Sequence, residues 1–278
     1  MYRDIFKRFV KRKPSIYGGT ILILFLLMAL IGPFLVKYEP TAQDLHNVHA
    51  GISRDHLLGT DYLGRDLLSR VVYGARISMF ISFAGVAMGS IIGILLGLIS
   101  GYYGGVVDNL ISRLLEIMLA FPGLLIAIFI VAILGTGTFN TMIAISFYVV
   151  PSLARIVRSS VISIKNNEYV QVCDVFGASR FRILFKHVLP NSLSLLIVNV
   201  THSLGIALLT ASSLSFLGLG VQPPYAEWGA MLSSAREALR INPIEALAPG
   251  VAITLVVLSF SVIGDGLSDA LDPRLKNS

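Results

Sequence analysis

Six stretches of this chain, at 16–36, 77–100, 114–134, 138–154, 192–215 and 246–264, run almost without charge, with Glu116 as their only Asp, Glu, Lys or Arg. Each is close to the roughly 20 residues a helix needs to cross a hydrocarbon layer about 30 Å thick. In such a solvent each backbone N–H and C=O must find its partner inside the chain, so the spans are predicted to be helices. Composition agrees: 55% of residues are hydrophobic and 14% charged, and the mean hydropathy is +0.77, more than one soluble core uses. The fold class expected is an all-α integral membrane protein of about six transmembrane helices. The first span follows a basic stretch, as a signal peptide would, but it is too long for an h-region and lacks a small-residue cleavage site. It is therefore expected to stay attached.

Orientation follows from the basic residues. One side collects Arg3, Lys7, Arg8, Lys11, Arg12 and Lys13 of the leader, then Arg113, Arg155, Arg158, Lys165, Arg180, Arg182, Lys186, Arg274 and Lys276. The other side holds only Lys37, Arg54, Arg65, Arg70, Arg76, Arg236 and Arg240. The bias puts both termini in the cytoplasm, and it accounts for the net charge of +6 as topology, not as a nucleic-acid interface. In the leader, Ile5, Phe6, Phe9 and Val10 among the cations suit either a short helix lying in an anionic lipid surface or a plain charge anchor. The single Cys173 cannot form an intrachain disulfide.

Two polar segments interrupt the spans. Residues 168–190, EYVQVCDVFGASRFRILFKHVLP, read as helix, turn, helix. Glu168 opens the run and Gly177 supplies the turn, where positive φ and the absence of a side chain are needed. Phe181, Leu184, Phe185 and Val188 then recur at helical spacing between Arg180, Arg182 and Lys186. Leu189-Pro190 is expected to stop this helix. The second segment, about 37–75, is punctuated by Gly59, Gly64 and Gly74. Its Asp61, Arg65, Asp66 and Arg70 are spaced for local charge pairs and helix caps, which predicts a structured cap.

The 168–190 segment resembles the cytoplasmic coupling loop, or EAA motif, of ABC-importer permeases, written in the peptide branch as E-Y-V-x-A-A-x-x-x-G-A-S followed by H-x-L-P-N. Glu168, Tyr169, Val170, Gly177, Ala178, Ser179, His187, Leu189, Pro190 and Asn191 match it. Val172 and Cys173 stand where the family has two small alanines, and bulkier residues there imply a slightly wider fit to a partner. The run from Leu58 to Ser78 is similar to the signature L-G-T-D-x-x-G-R-D-x-x-S-R-x-x-x-G-A-R-x-S, with Gly59, Thr60, Asp61, Gly64, Arg65 and Asp66 among its fixed positions. SFLGLGVQPPYAEWGAML and GDGLSDALDPRL resemble two further signatures of the same branch. Together they bracket residues 56–275.

The chain is thus identified as a member of the dipeptide, oligopeptide and nickel importer permeases, resembling the second permease subunit. The resemblance implies a type I ABC-importer permease fold in the bacterial inner membrane. It also implies a homologous partner permease, two cytoplasmic ATP-binding subunits that carry ATP and Mg, and an extracytoplasmic solute-binding protein. Glu168, Tyr169, Gly177, Ala178, Ser179, Arg182, His187 and Pro190 would couple to the ATPases, with a loop at about 160–190 in a core of 76–278. Residues 1–75 would form the leader, first span and cap. The cargo implied is a di- or oligopeptide, with nickel or a metal chelate as the alternative.

Within the spans His202 lies among Asn199, Thr201 and Ser203. A polar group at membrane depth either lines a pathway or bonds a neighbouring helix, and both readings of Asn199, His202 and Ser203 stand. Arg113 and Glu116 are spaced as an i,i+3 pair. Gly85, Gly89, Gly93 and Gly97 form a small-residue packing stripe, and Pro122 and Pro151 are expected to kink or end helices. The cluster Asp44, His46, His49, Asp55 and His56 reads as a solvated loop and not a metal site, since it has no cysteine and no closed ligand spacing. No lysine follows a glycine, so a phosphate-cradling G-K-[ST] loop is absent and any ATP falls to a partner. H-E-x-x-H, G-x-S-x-G and G-x-G-x-x-G after a strand are also missing, which argues against an enzyme. A secondary transporter or channel would more often show paired intramembrane acids or an internal repeat, and an intramembrane hydrolase built on His202 lacks an orienting group.

Overall fold

The computed structural model describes residues 8–271; Arg3, Ile5, Phe6, Lys7, Arg274 and Lys276 lie outside the described residues. Helix α1 (Lys13–Leu35) has a proline in its first turn, where the missing N–H costs nothing. A folded cap follows, then α2 (Leu67–Tyr103), α3 (Gly105–Leu119), α4 (Gly123–Leu134), α5 (Thr138–Lys165), α6 (Glu168–Val175), α7 (Leu189–Phe216), α8 (Trp228–Ser234) and α9 (Ile244–Leu271). No strand occurs among the described residues; one isolated bridge joins Thr60 and Asp66.

Among the described residues five helices are long and apolar enough to cross a membrane, and α3 with α4 makes a sixth crossing if the pair, bent by 92°, counts as one. The third span expected at 114–134 is therefore not straight. Pro122 keeps the residue before it out of the helical region and has no N–H to donate, so the chain breaks there and α4 restarts with Leu125 N–H bonded to Pro122 O at 2.9 Å. The two arms still pass along the length of α5. Asp108 near the start of α3 meets Arg158, Leu115 packs with Val150 and Ala154, and Ala127 and Val131 of α4 pack with Ala144 and with Leu214 of α7.

Two more boundaries differ from the sequence expectation. α2 begins at Leu67, well before the apolar run at 77, because Asp66 caps it by accepting a bond from Ser69 N–H at 2.8 Å. Nor does Pro190 stop the chain. A π-helical stretch, Ile183–Val188, runs straight into α7, with Leu189 N–H bonded to Leu184 O. That wider turn already shifts the bonding pattern, so proline enters one residue later without a clash.

The main packing face joins α2 to α5 along the glycine stripe. A Cβ on Gly89 would meet Val149 Cβ at 2.7 Å, on Gly93 Val150 O at 2.9 Å, and on Gly97 Ala154 O at 2.5 Å; Gly101 continues the row against Arg158 O at 2.8 Å. The two backbones can approach this closely only because those positions carry no side chain. The first helix lies on α9 and α2, with Gly18 close to Ser259 and Val262. Arg12 pairs with Asp269 at 2.7 Å, so the chain enters and leaves the bundle at the same end. That end also carries α6; the folded cap sits at the other.

Candidate functional site

At the α6 end, residues 168–188 stand off the bundle as two short helical pieces around Gly177, whose φ is +76°. Val170, Ile183, Leu184 and Val188 are buried and anchor the segment on the bundle. Ala178 N–H bonds Cys173 O at 3.0 Å and Ile183 N–H bonds Ser179 O at 3.1 Å, closing the turn on both sides. Asn191 Nδ2 donates to Tyr169 Oη at 3.1 Å and to His187 O at 2.6 Å. His187 Nε2 lies 3.9 Å from Cys173 Sγ. Tyr169, Cys173, His187 and Asn191 are thereby brought together across the turn as an internal brace, with Pro190 and Arg182 exposed beside it.

The outer face carries Glu168, Val172, Gly177 and Ser179, together with Phe176 at 87% exposure. The expectation of one apolar face in the second half is corrected. Leu184 and Val188 turn inward, while Phe181 and Phe185 point outward and pack on each other with centroids 4.4 Å apart. The π-helical stretch rotates the helix between those positions, so a 3.6-residue spacing misassigns them.

At the opposite end the cap is held by buried polar groups. Gly59 and Gly64 have φ of +81° and +71°, and a side chain on Gly64 would collide with the Asp44 carbonyl. Thr60 donates its hydroxyl to Asn47 O and accepts from Ala50 N–H at 2.9 Å. Asp61 receives Arg65 Nε at 2.7 Å and the N–H groups of Leu63 and Arg65 at 2.9 and 3.0 Å, with Arg70 Nε at 3.4 Å. Asp66, besides capping α2, lies 2.9 Å from His56 Nδ1. His49 reaches Glu245 in the first turn of α9 at 2.6 Å, and Lys37 pairs with Asp55 at 3.0 Å. His46 N–H and Asn47 Nδ2 bond the Asp44 carboxylate.

Beneath the cap, Glu227 is fully buried and opens α8. Its carboxylate accepts from Ser78 Oγ at 3.0 Å and from Ala230 N–H at 2.9 Å, and burial pushes it above the usual carboxylate range against hydrogen bonds that pull the other way. The neighbouring Trp228 ring donates to Val71 O at 2.9 Å and meets Phe25 edge-on at 5.7 Å. Sequence reasoning placed Ser78 and Glu227 inside two of the branch's signatures but paired neither with the other.

The polar residues of α7 divide. Asn199, Thr201 and Ser203 bond carbonyls four residues back on their own helix at 2.8 Å. His202 turns toward α9, with Nε2 3.6 Å from Asp265 Oδ1 and its ring where a Cβ on Gly264 would come within 2.7 Å. Arg113 and Glu116 do pair, at 3.6 Å on the surface.

Residues 93–277 match the family described as binding-protein-dependent transport system inner membrane component, and residues 1–51 match the N-terminal transmembrane domain of oligopeptide transport permease C. The chain is 47% identical over 276 residues to a dipeptide transport system permease protein of Alkalihalophilus pseudofirmus, covering 99% of this chain and 91% of that one. It is 41% identical over 277 residues to a glutathione transport system permease protein of Pectobacterium atrosepticum, covering 99% and 92%. An inward-facing structure of the MetNI methionine ABC transporter superposes with a TM-score of 0.59 at 18% identity, over 73% of this chain and 96% of its own.

Proposed function

The chain belongs to the binding-protein-dependent transport system inner membrane component family, and from that premise we propose that it is one of two permease subunits of an ATP-driven importer of short peptides. The observation that carries the coupling role is the 168–188 segment, a braced turn standing off the bundle with its apolar outer face unburied. Phe176, Phe181 and Phe185 are exposed at the loop end with Glu168, Arg182 and Lys186 exposed beside them, a mixed surface that a docking partner would cover. That partner is a cytoplasmic ATPase subunit, one of a pair that holds the ATP and Mg. Glu168, Tyr169, Gly177, Ala178, Ser179, Arg182, His187 and Pro190 form or brace the contact, and ATP-driven closure of the pair moves it.

On this reading both termini and the loop are cytoplasmic in a bacterial inner membrane, and the cap around Gly59, Thr60, Asp61, Gly64, Arg65 and Asp66 faces the solute-binding protein. Residues 1–75 act as leader, first span and cap, and 76–278 as the permease core. The pathway lies between this chain and a homologous permease, with Asn199 and Ser203 of α7 toward it. Short peptides are favoured as cargo because the relatives are named for dipeptide and for glutathione, itself a peptide.

Glu168→Lys and Gly177→Val test the loop. Both are expected to insert normally and then either lose the co-purified ATPase subunits or hydrolyse ATP without uptake, through charge reversal at the contact in the first and a blocked left-handed turn in the second. Undiminished uptake by both variants would sink the proposal.

A further inference from the structure

The end of α5 leads directly into α6, and it is tied to its neighbours by two cations. Arg158 forms a two-pronged ion pair with Asp108 of α3, Nε to Oδ1 at 2.5 Å and Nη2 to Oδ2 at 2.6 Å. Ser100 of α2 donates to the same carboxylate, and Ser112 adds a bond at 3.3 Å. Lys165 donates to Tyr102 O at the end of α2, at 2.7 Å. The bidentate pair is partly buried, with side-chain exposures of 34% and 16%, and such fork geometry fixes orientation as well as distance.

What the pair joins is unevenly anchored. α3 is one arm of the span that breaks at Pro122. Its far arm, α4, is fixed against α5 and α7 by Ala127, Val131, Ala144 and Leu214, and Gly123 lies so close to the Tyr148 ring that no side chain would fit between them. Between these anchors, Leu119, Phe121 and Leu124 at the bend are exposed. Motion delivered to α5 from the loop can therefore be taken up by rotation at Phe121–Pro122, provided α3 is carried along.

We propose that the Asp108–Arg158 pair is the positioning element that makes α3 follow the coupling loop, so that the bent span works as a lever hinged at Pro122. This deepens the reading of the 168–188 segment as the ATPase contact and rests on it. Without the pair, α3 would keep its apolar contacts to α5, Leu115 with Val150 and Ala154, and the bond of Ser100 to Asp108 ties it to α2 and not to α5.

The test uses the assembled complex in lipid nanodiscs, in a Cys173→Ser background, with spin labels at Val107→Cys on α3 and Ile133→Cys on α4, both exposed. The wild-type pair should show a change in inter-label distance on trapping with MgATP and vanadate. Asp108→Asn and Arg158→Gln should each reduce that change by roughly threefold or more. The double variant should be no worse than either single, as expected for two residues acting as one unit. Because the double variant leaves no unpaired charge, it should assemble at wild-type yield, which keeps the result from being a folding defect. A full distance change in the double variant, with Gly177→Val abolishing it, would overturn the tie. A distance change that survives Gly177→Val would instead overturn the loop reading beneath it.

Discussion

Asp61 faces two guanidinium groups in a space almost closed to water, with side-chain exposures of 7% for Asp61, 4% for Arg65 and 6% for Arg70. Removing that carboxylate would strand two buried cations, with Arg70 left on its bond to Pro40 O at 2.9 Å. Asp61→Ala should therefore lower the stability of the purified protein by about 3–5 kcal/mol, the cost of stranding buried charge. A loss under about 1 kcal/mol, as for a surface pair, would mean that water reaches the cluster. His202 sets a finer case. Its ring packs toward α9 beside Gly264, with Nε2 3.6 Å from Asp265 Oδ1, an ion-pair distance longer than a hydrogen bond. His202→Leu is thus expected to cost roughly 0.5–2 kcal/mol of thermal stability while the assembled complex keeps its uptake. Lost uptake at an unchanged melting temperature would assign His202 to the pathway instead.

Among the elements, α2 and α5 are the pair whose contact the sequence makes most explicit, and they give the sharpest control. Gly97→Ala would push a methyl group to 2.5 Å from the Ala154 carbonyl, a backbone atom that cannot step aside, whereas a Cβ on Gly19 of α1 meets nothing within 4 Å. Gly97→Ala is predicted to destabilise by about 1–3 kcal/mol through overpacking. Gly19→Ala should be neutral or slightly stabilising through helix propensity. Equal melting temperatures for the two would refute the close approach. The same contrast explains what could be read in advance. Features set by neighbours in sequence were legible: the four-residue glycine stripe, the i,i+4 pair of Asp61 and Arg65, the turns at Gly59, Gly64 and Gly177. An unbroken apolar run, however, fixes the length of a span and not its direction, so the bend at Pro122 was read only as a kink or an end, and the register change at Ile183–Val188 left no mark in a 3.6-residue pattern. Contacts joining residues far apart in sequence were invisible. Glu227 meets Ser78 across 149 positions and His49 meets Glu245 across 196, and no spacing rule pairs them.

At the scale of the whole molecule, the structure places Arg12 and Asp269 in contact and puts the 168–188 segment at that same end, which fixes the relative placement of the start of α1, the end of α9 and the loop without saying which side of the membrane they occupy. The expected side comes from the distribution of Lys and Arg. On the cap end Arg65 and Arg70 are drawn onto Asp61, and Lys37 onto Asp55, which pairs three of the seven cations on that side. The loop end keeps Arg182 and Lys186 exposed, and Lys11 and Lys13 at the start of α1 are exposed as well. A positive end that stays in the cytoplasm is the general rule for such proteins. Two cysteine variants in a Cys173→Ser background turn this into a measurement: Ser53→Cys on the exposed cap, and Phe176→Cys at the 87% exposed tip of the loop. In cells stripped of any outer barrier, an impermeant maleimide should label Ser53→Cys at once and Phe176→Cys only after the inner membrane is permeabilised. Both sites are exposed in the chain by itself, and expressing the variants without the ATPase subunits keeps a docked partner from imitating the difference. The reverse order of labelling would invert the orientation, place the 168–188 segment on the side that has no ATP, and with it remove the basis for ATPase docking there.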